Sequence, residues 1–221
     1  MKRLDTDASS DAQVPERLIT TAIQEYGARG TQAISLREIQ RKAGVLNEAA
    51  VRYYFKNRQG LLDQCLHTVA QRFVPIFDEV WKDLESSVDA SKRQARHVVT
   101  AVVVSFYSLW SEQEEAVQLV ARMIREEGAE GQSMLLKHFG HVIWRMEAAL
   151  QQLLPQKSAK ALRLHCFLAI NNIVNGMVDQ SLLWQLPAVG EGQGRFQLEQ
   201  EQLAQGFIEY VSAGLCAASE L

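Results

Sequence analysis

Apolar residues recur along this chain at spacings of three and four almost from end to end. Val14, Leu18, Ala22 and Tyr26 fall at four-residue steps, with Ile19 and Ile23 beside them. That period places them on one face of a helix. Pro15 suits its first position, and Gly27 and Gly30 close it. Leu36, Ile39 and Ala43 share the face of a short second helix. Ser35 can cap its start, and Gly44 ends it, since glycine enters the left-handed cap conformation without penalty. Asn47 is placed to cap a third helix, from which Val51, Tyr54 and Phe55 are available to pack inward.

A long helix follows, predicted from about Arg58 to Leu84 by Leu61, Leu62, Cys65, Leu66, Val69, Phe73, Ile76, Phe77, Val80, Trp81 and Leu84. Pro75 removes one hydrogen bond and crowds the carbonyl four residues back, so a kink is expected between Gln71 and Pro75. That kink reads equally as a signalling element or as a passive bend around the core. Residues 86–91 are a polar break. Apolar faces then run over 95–110 and 116–124, with a loop expected at 126–131. A long helix spans 135–154 and stops at Pro155. Another, capped by Ser158, runs on to Trp184 and halts at Pro187; Gly190, Gly192 and Gly194 mark a loop. Leu203, Phe207, Val211 and Leu215 trace the last helix. There is no strand alternation and no repeat, so the expected fold is all-α.

Charge sharpens the reading near the N-terminus. Between Ser35 and Gly60, Arg37, Arg41, Lys42, Arg52, Lys56 and Arg58 stand against Glu38 and Glu48, a net of +4 in a chain of net −3. Residues 1–60 carry +3 and residues 61–221 carry −6. A basic head on an acidic body suits electrostatic contact with DNA through one end only. Two short helices joined by a glycine turn form a helix-turn-helix, whose second helix can lie in a major groove. A solvated basic face on a helical hairpin is the bland alternative; the glycine turn and the aromatic ending weigh against it.

At these residues the sequence resembles the DNA-binding domain of the TetR/AcrR transcriptional regulators. The likeness rests on Ile39 to Val45 and then Arg52-Tyr53-Tyr54-Phe55-Lys56-Asn57-Arg58-Gln59-Gly60-Leu61-Leu62, and covers about residues 14–65. The span from Gly44 to Phe55 is one residue longer than in most members; Leu46 is the extra residue, as in one subgroup, and the register of 46–50 against DNA is open. Residues 1–13 are polar and are expected to be a disordered arm; the resemblance implies an N-terminal three-helix DNA-binding domain at 14–60. A long helix joins it to an effector-binding and dimerisation domain (61–221). It implies a ligand-responsive repressor that grips a palindromic double-stranded operator as a homodimer, with half-sites about 34–36 Å apart or somewhat further; the cysteine usage and the lack of a signal peptide lead to the expectation of a cytoplasmic protein.

The DNA contacts implied are Arg37, Asn47, Glu48, Ala49, Arg52, Tyr53, Tyr54, Lys56 and Arg58. Arg52 suits a guanine edge or a phosphate equally well. Tyr54 suits a phosphate or the core. Phe106, Trp110, Arg122, Met123, His141, Trp144 and Asn171 are the candidate effector pocket, although aromatic and methionine residues at this spacing also build plain cores. Phe167, Val174, Leu203, Phe207 and Val211 are the candidate dimer face.

Other chemistry finds little support. Cys65, Cys166 and Cys216 are too far apart for a metal pair and odd in number, which suits small core residues in a reducing compartment. His138 and His141 sit three apart, but the Glu-x-x-His of helical-bundle metal sites is absent. Gly-x-Ser-x-Gly, phosphate-binding glycine loops and Cys-x-x-Cys are absent too. No cofactor, metal or catalytic residue is expected. The competing readings are an α-helical metal-dependent enzyme and an architectural DNA binder with no effector. No signal peptide or bilayer-spanning run is present, so no membrane partner is expected.

Overall fold

The computed structural model describes residues 13–47, 49–187 and 194–217. Most of the expected N-terminal arm, Glu48, Gly190 and Gly192 fall outside them. The described residues form ten α-helices: α1 Val14–Arg29, α2 Leu36–Lys42, α3 Ala50–Phe55, α4 Arg58–Ser87, α5 Ala95–Glu112, α6 Glu114–Glu126, α7 Gly128–Leu153, α8 Ala159–Val178, α9 Gln180–Leu183 and α10 Gln200–Cys216. A 3-10 turn at Ala90–Lys92 and an isolated bridge between Pro187 and Arg195 complete the regular structure. The fold is all-helical, as the periodicity requires. Among the described residues no helix is long and apolar enough to cross a membrane.

The chain divides into two compact units. The first holds the residues up to Arg72 together with Gln113–His138; the second holds Phe73–Glu112 and everything from Phe139. The helices α4 and α7 pass through both. Within α4 the division falls one turn ahead of Pro75, and the helix continues through that proline to Ser87. These structural units cut the chain along other lines than the expected functional division at residue 60.

In the first unit α1 packs along α6. Leu18, Ala22, Ile23 and Tyr26 meet a core to which α6 brings Ala116, Val117, Leu119, Val120 and Met123, all buried. Gly27 lies inside α1 rather than closing it, and the closeness of the two helices explains its identity. A Cβ there would stand 2.2 Å from the carbonyl oxygen of Glu115. Gly30 is the true terminator, at φ 106.

The expected loop at 126–131 is reduced to a single corner. Glu127 ends α6 and Gly128, at φ 57, opens α7. The glycines serve the corner and the close approach behind it, since a Cβ on Gly131 would meet the carbonyl oxygen of Met123 at 2.6 Å.

In the second unit α10 packs on α5 and α8. Phe73 centres an aromatic cluster, with ring centroids 4.7 Å from Phe106, 5.9 Å from Phe139 and 6.0 Å from Phe77. The Ser158 hydroxyl accepts from the Ala161 N–H at 3.1 Å and caps α8 as its position suggests. Cys65 and Cys166 are buried, and burial raises both thiols, Cys166 to about 12. Cys216 differs from expectation in being exposed, on the last turn of α10.

Candidate nucleic-acid interface

Local hydrogen bonds fix the α2–turn–α3 hairpin. Ser35 and Glu38 form a reciprocal capping box: the Glu38 N–H donates to Ser35 Oγ at 3.3 Å, and the Ser35 N–H donates to Glu38 Oε2 at 3.1 Å. Those bonds from Ser35 hold the Glu38 carboxyl below its usual range. At the far end, Gly44 takes φ 66, and the carbonyl of Ala43 accepts from the Arg17 guanidinium.

The turn is pinned from inside. Gln40, buried on α2, receives the Val45 N–H on its own carbonyl at 2.9 Å and donates its side-chain N–H to the Asn47 carbonyl at 3.0 Å. Asn47 caps differently from expectation. Its Oδ1 accepts from the Ala49 N–H at 2.9 Å, within the turn, before α3 begins at Ala50.

Six residues make α3. Ala50, Val51 and Phe55 face the core; Arg52 and Tyr53 face outward, and Tyr53 is 79% exposed. Tyr54 is at the border, 36% exposed, with its ring against Tyr53 edge-on at 4.8 Å and tilted to Phe55 at 6.2 Å. Its ring joins the aromatic row at the border of the core. Arg37, Asn47 and Ala49 are exposed on the same hairpin.

Between α3 and α4 the backbone makes a γ-turn centred on Lys56. Lys56 has φ 69 and ψ −51, and the Asn57 N–H donates to the Phe55 carbonyl at 2.8 Å. This is the rare, strained form of that turn, held by a residue other than glycine. Asn57 then caps α4, its Oδ1 accepting from the Gly60 N–H at 2.8 Å. Gly60 is required here, because a Cβ would lie 1.9 Å from the Phe55 carbonyl oxygen.

Arg58, expected at a phosphate, makes its hydrogen bonds within the chain. Its Nη2 donates to Glu127 Oε1 at 2.6 Å and to the Thr31 carbonyl at 2.6 Å, while Nη1 donates to Glu127 Oε2 at 3.1 Å. Its side chain is 24% exposed and that of Glu127 only 3%. The guanidinium also lies 5.7 Å from the Tyr26 ring. The hydrogen bonds from Arg58 hold the Glu127 carboxyl below its usual range against the opposing effect of burial.

A second ionic group stands beside it. Glu126 accepts from the Thr31 N–H and hydroxyl, both at 2.7 Å, and from Arg122 at 2.8 Å. Burial raises the Glu126 carboxyl, but these bonds outweigh it and the net shift is downward. Sequence reasoning missed Thr31, Glu126 and Glu127. Their partners lie 69 and 95 positions away along the chain.

The candidate effector residues are divided between the two units. Arg122 and Met123 belong to the first unit and the other five to the second. Arg122 donates to the carbonyls of Gly27 and Ala28 as well as to Glu126, so it is a structural clamp. Met123 is fully buried, and Trp144 is 61% exposed. Trp110 is half-buried. Asn171 bonds only within its own helix in the contacts described, to Phe167 and Asn175.

Phe106 and His141 belong to the second unit. Phe106 lies in the aromatic cluster, and His141 stands edge-on to Phe77 at 6.5 Å with its buried Nε2 lacking a hydrogen-bond partner among the described residues. Tyr107, next to Phe106 on α5, also buries a hydroxyl that lacks a partner among the described residues.

The candidate dimer residues divide likewise. Val174, Leu203 and Val211 are buried within the chain's own second unit, and Phe207 is half-buried over Gly176. Only Phe167, at 58%, is free to meet a partner. Leu164 and Leu168 on α8 and Tyr210 on α10 are also exposed apolar positions. As for a metal, His138 faces Asp63 at 2.9 Å, but among the described residues no three His, Cys, Asp or Glu side chains form a metal-holding group.

Comparison with known proteins agrees with this arrangement. The profile of the bacterial regulatory proteins of the tetR family matches residues 18–65, which run from α1 into α4. No curated protein matches the chain. Several solved structures share its fold. FadR of Bacillus subtilis, solved with stearoyl-CoA, superposes with a TM-score of 0.63 at 13% identity, over 90% of this chain and 98% of its own. A transcriptional regulator from Rhodococcus gives 0.62 at 15%, over 91% and 95%. A TetR-family regulator from Bordetella parapertussis gives 0.57 at 14%, over 92% and 94%. Residues 18–65 thus carry the N-terminal domain of the tetR-family regulatory proteins, and the chain shares the fold of these solved structures.

Proposed function

We propose that the chain is a TetR-family DNA-binding transcriptional regulator that acts in the cytoplasm as a repressor, binding a twofold-symmetric operator as a homodimer and leaving it when a small molecule binds. The observation that carries the DNA part is the outward face of α3 and its end. Arg52, Tyr53, Tyr54 and Lys56 present two cations and two phenols together on an otherwise core-facing helix. Cations and hydroxyls of this kind hold phosphates and fix register, while Arg52 can also fork onto guanine. Arg37, Asn47 and Ala49 extend the same surface.

Dimerisation is supported by Leu164, Phe167 and Leu168 on α8 and Tyr210 on α10, large apolar side chains left exposed on two adjacent helices. An apolar patch of this kind calls for a partner, and a second copy would cover it in isologous fashion. The dimer brings two α3 helices to half-sites about one DNA turn apart.

For the effector, His141 is the anchor. A buried polar atom without a partner is costly, and small-molecule sites combine apolar walls with a few such groups. Phe73, Phe77, Phe106 and Phe139 supply the walls. FadR, of the same fold, holds an acyl thioester of long apolar chain, so an effector with an apolar body and one hydrogen-bonding group fits this reading. It acts by preferring a state of the dimer that matches the operator less well.

The test is selection of bound duplex from a random pool, followed by sizing of the complex. A palindromic site bound by a dimer is the expected result. A protein that retains no duplex at low salt would sink the proposal. His141→Phe should keep operator affinity and lose release by the effector.

A further inference from the structure

Leu46 is 98% exposed, more than any other large apolar side chain among the described residues, with Tyr53 next at 79%. It is not exposed through looseness. The backbone on its N-terminal side is pinned by Gly44 N–H to the Arg41 carbonyl at 3.1 Å and by Val45 N–H to the Gln40 carbonyl at 2.9 Å. On its C-terminal side the Asn47 carbonyl accepts from Gln40 and from the Ala50 N–H, and Asn47 Oδ1 accepts from Ala49. Leu46 is therefore the single residue held out between two fixed points, four positions ahead of α3. In a helix-turn-helix, the N-terminal end of the second helix is the end that meets base edges.

A leucine side chain can neither donate nor accept a hydrogen bond. Of everything the major groove displays, only the thymine 5-methyl group matches it. We infer that Leu46 packs on a thymine methyl in each half-site and is a specificity-determining residue of the regulator. The inference rests on the DNA-binding reading above and adds to it a base identity and the side chain that reads it.

The test uses the full-length protein and the operator obtained by selection. Each thymine of one half-site is replaced in turn by deoxyuridine, which removes only the methyl group, and binding is measured for the parent and for Leu46→Ala. One position should weaken parental binding about fourfold, the factor carried by burying a methyl-sized group. The same replacement should leave Leu46→Ala unchanged. Thermal unfolding of Leu46→Ala should match the parent, because the side chain supports nothing in the fold.

Equal responses of the two proteins at every position, or selected half-sites without thymine, overturn the inference while leaving DNA binding intact. Absence of binding to any duplex overturns both.

Discussion

Arg58 and Glu127 meet through two hydrogen bonds, 2.6 Å from Nη2 to Oε1 and 3.1 Å from Nη1 to Oε2, with the carboxylate almost fully enclosed. The cation that sequence alone assigns to the DNA backbone thus ties the start of α4 to the corner between α6 and α7. The two roles differ in their salt dependence. Arg58→Ala is expected to lower stability by about 2 kcal/mol, less than for a fully buried pair because the guanidinium keeps some solvent. It should leave the slope of log affinity against log salt at its parental value. Lys56→Ala should flatten that slope by about one unit. A flattened slope in Arg58→Ala would return Arg58 to the phosphates.

The acid side of the stability profile follows from the same corner. Glu126 and Glu127 both titrate below the ordinary glutamate value of 4.5 in the folded chain. The unfolded chain therefore binds more protons between the two values, and the contribution of these groups is complete above about 4.5. It is lost as pH falls through the folded value. Glu127→Gln is expected to be less stable than the parent at pH 7, with the gap narrowing below pH 4.5. Urea unfolding at pH 7 and pH 3.5 checks this; a gap that stays constant would show that the ion pair contributes nothing through its charge.

Gly27→Ala inserts a methyl group against the backbone of Glu115, 2.2 Å from its carbonyl oxygen. Backbone cannot rotate away as a side chain can. The expected loss is about 3 kcal/mol, at the upper end for overpacking, or roughly a 10 °C fall in Tm for a chain of this size. Calorimetry of the purified variant measures it directly. An unchanged Tm would mean that α1 and α6 are less closely packed than described.

Phe167→Glu places a charge in the centre of the apolar strip on α8 without disturbing the core, since Phe167 is 58% exposed. The variant is expected to remain folded and to sediment as a monomer at micromolar concentration. Operator affinity should fall with it, since a lone head forfeits the second half-site. A folded dimer in this variant would move the interface elsewhere.

The helix-turn-helix is legible in the sequence because its signals are local. Ser35 with Glu38 three residues on, Gly44, and the Tyr-Tyr-Phe ending all lie within one hairpin. What escapes is carried by distant or concealed partners. Nothing near Arg58 in the chain announces Glu127, and the glycines between 126 and 131 read as a loop although they serve a corner and a close helix approach.

The candidate dimer face shows a further limit of the pattern. Strict four-residue steps, as at Leu203 and Val211, mark the side of a helix that its own chain buries. Tyr210, exposed on the same helix, is off that stripe, and of the candidate residues only Phe167 on α8 is largely exposed. Periodicity finds cores; it does not say whose core.

The γ-turn at Lys56 sets conformation against charge at a single position. Glycine would adopt φ 69 freely, so Lys56→Gly should raise the melting temperature while removing a cation from the edge of the reading head. Redesign guided by thermostability alone would therefore choose glycine at position 56 and return a sturdier protein that holds its operator less firmly.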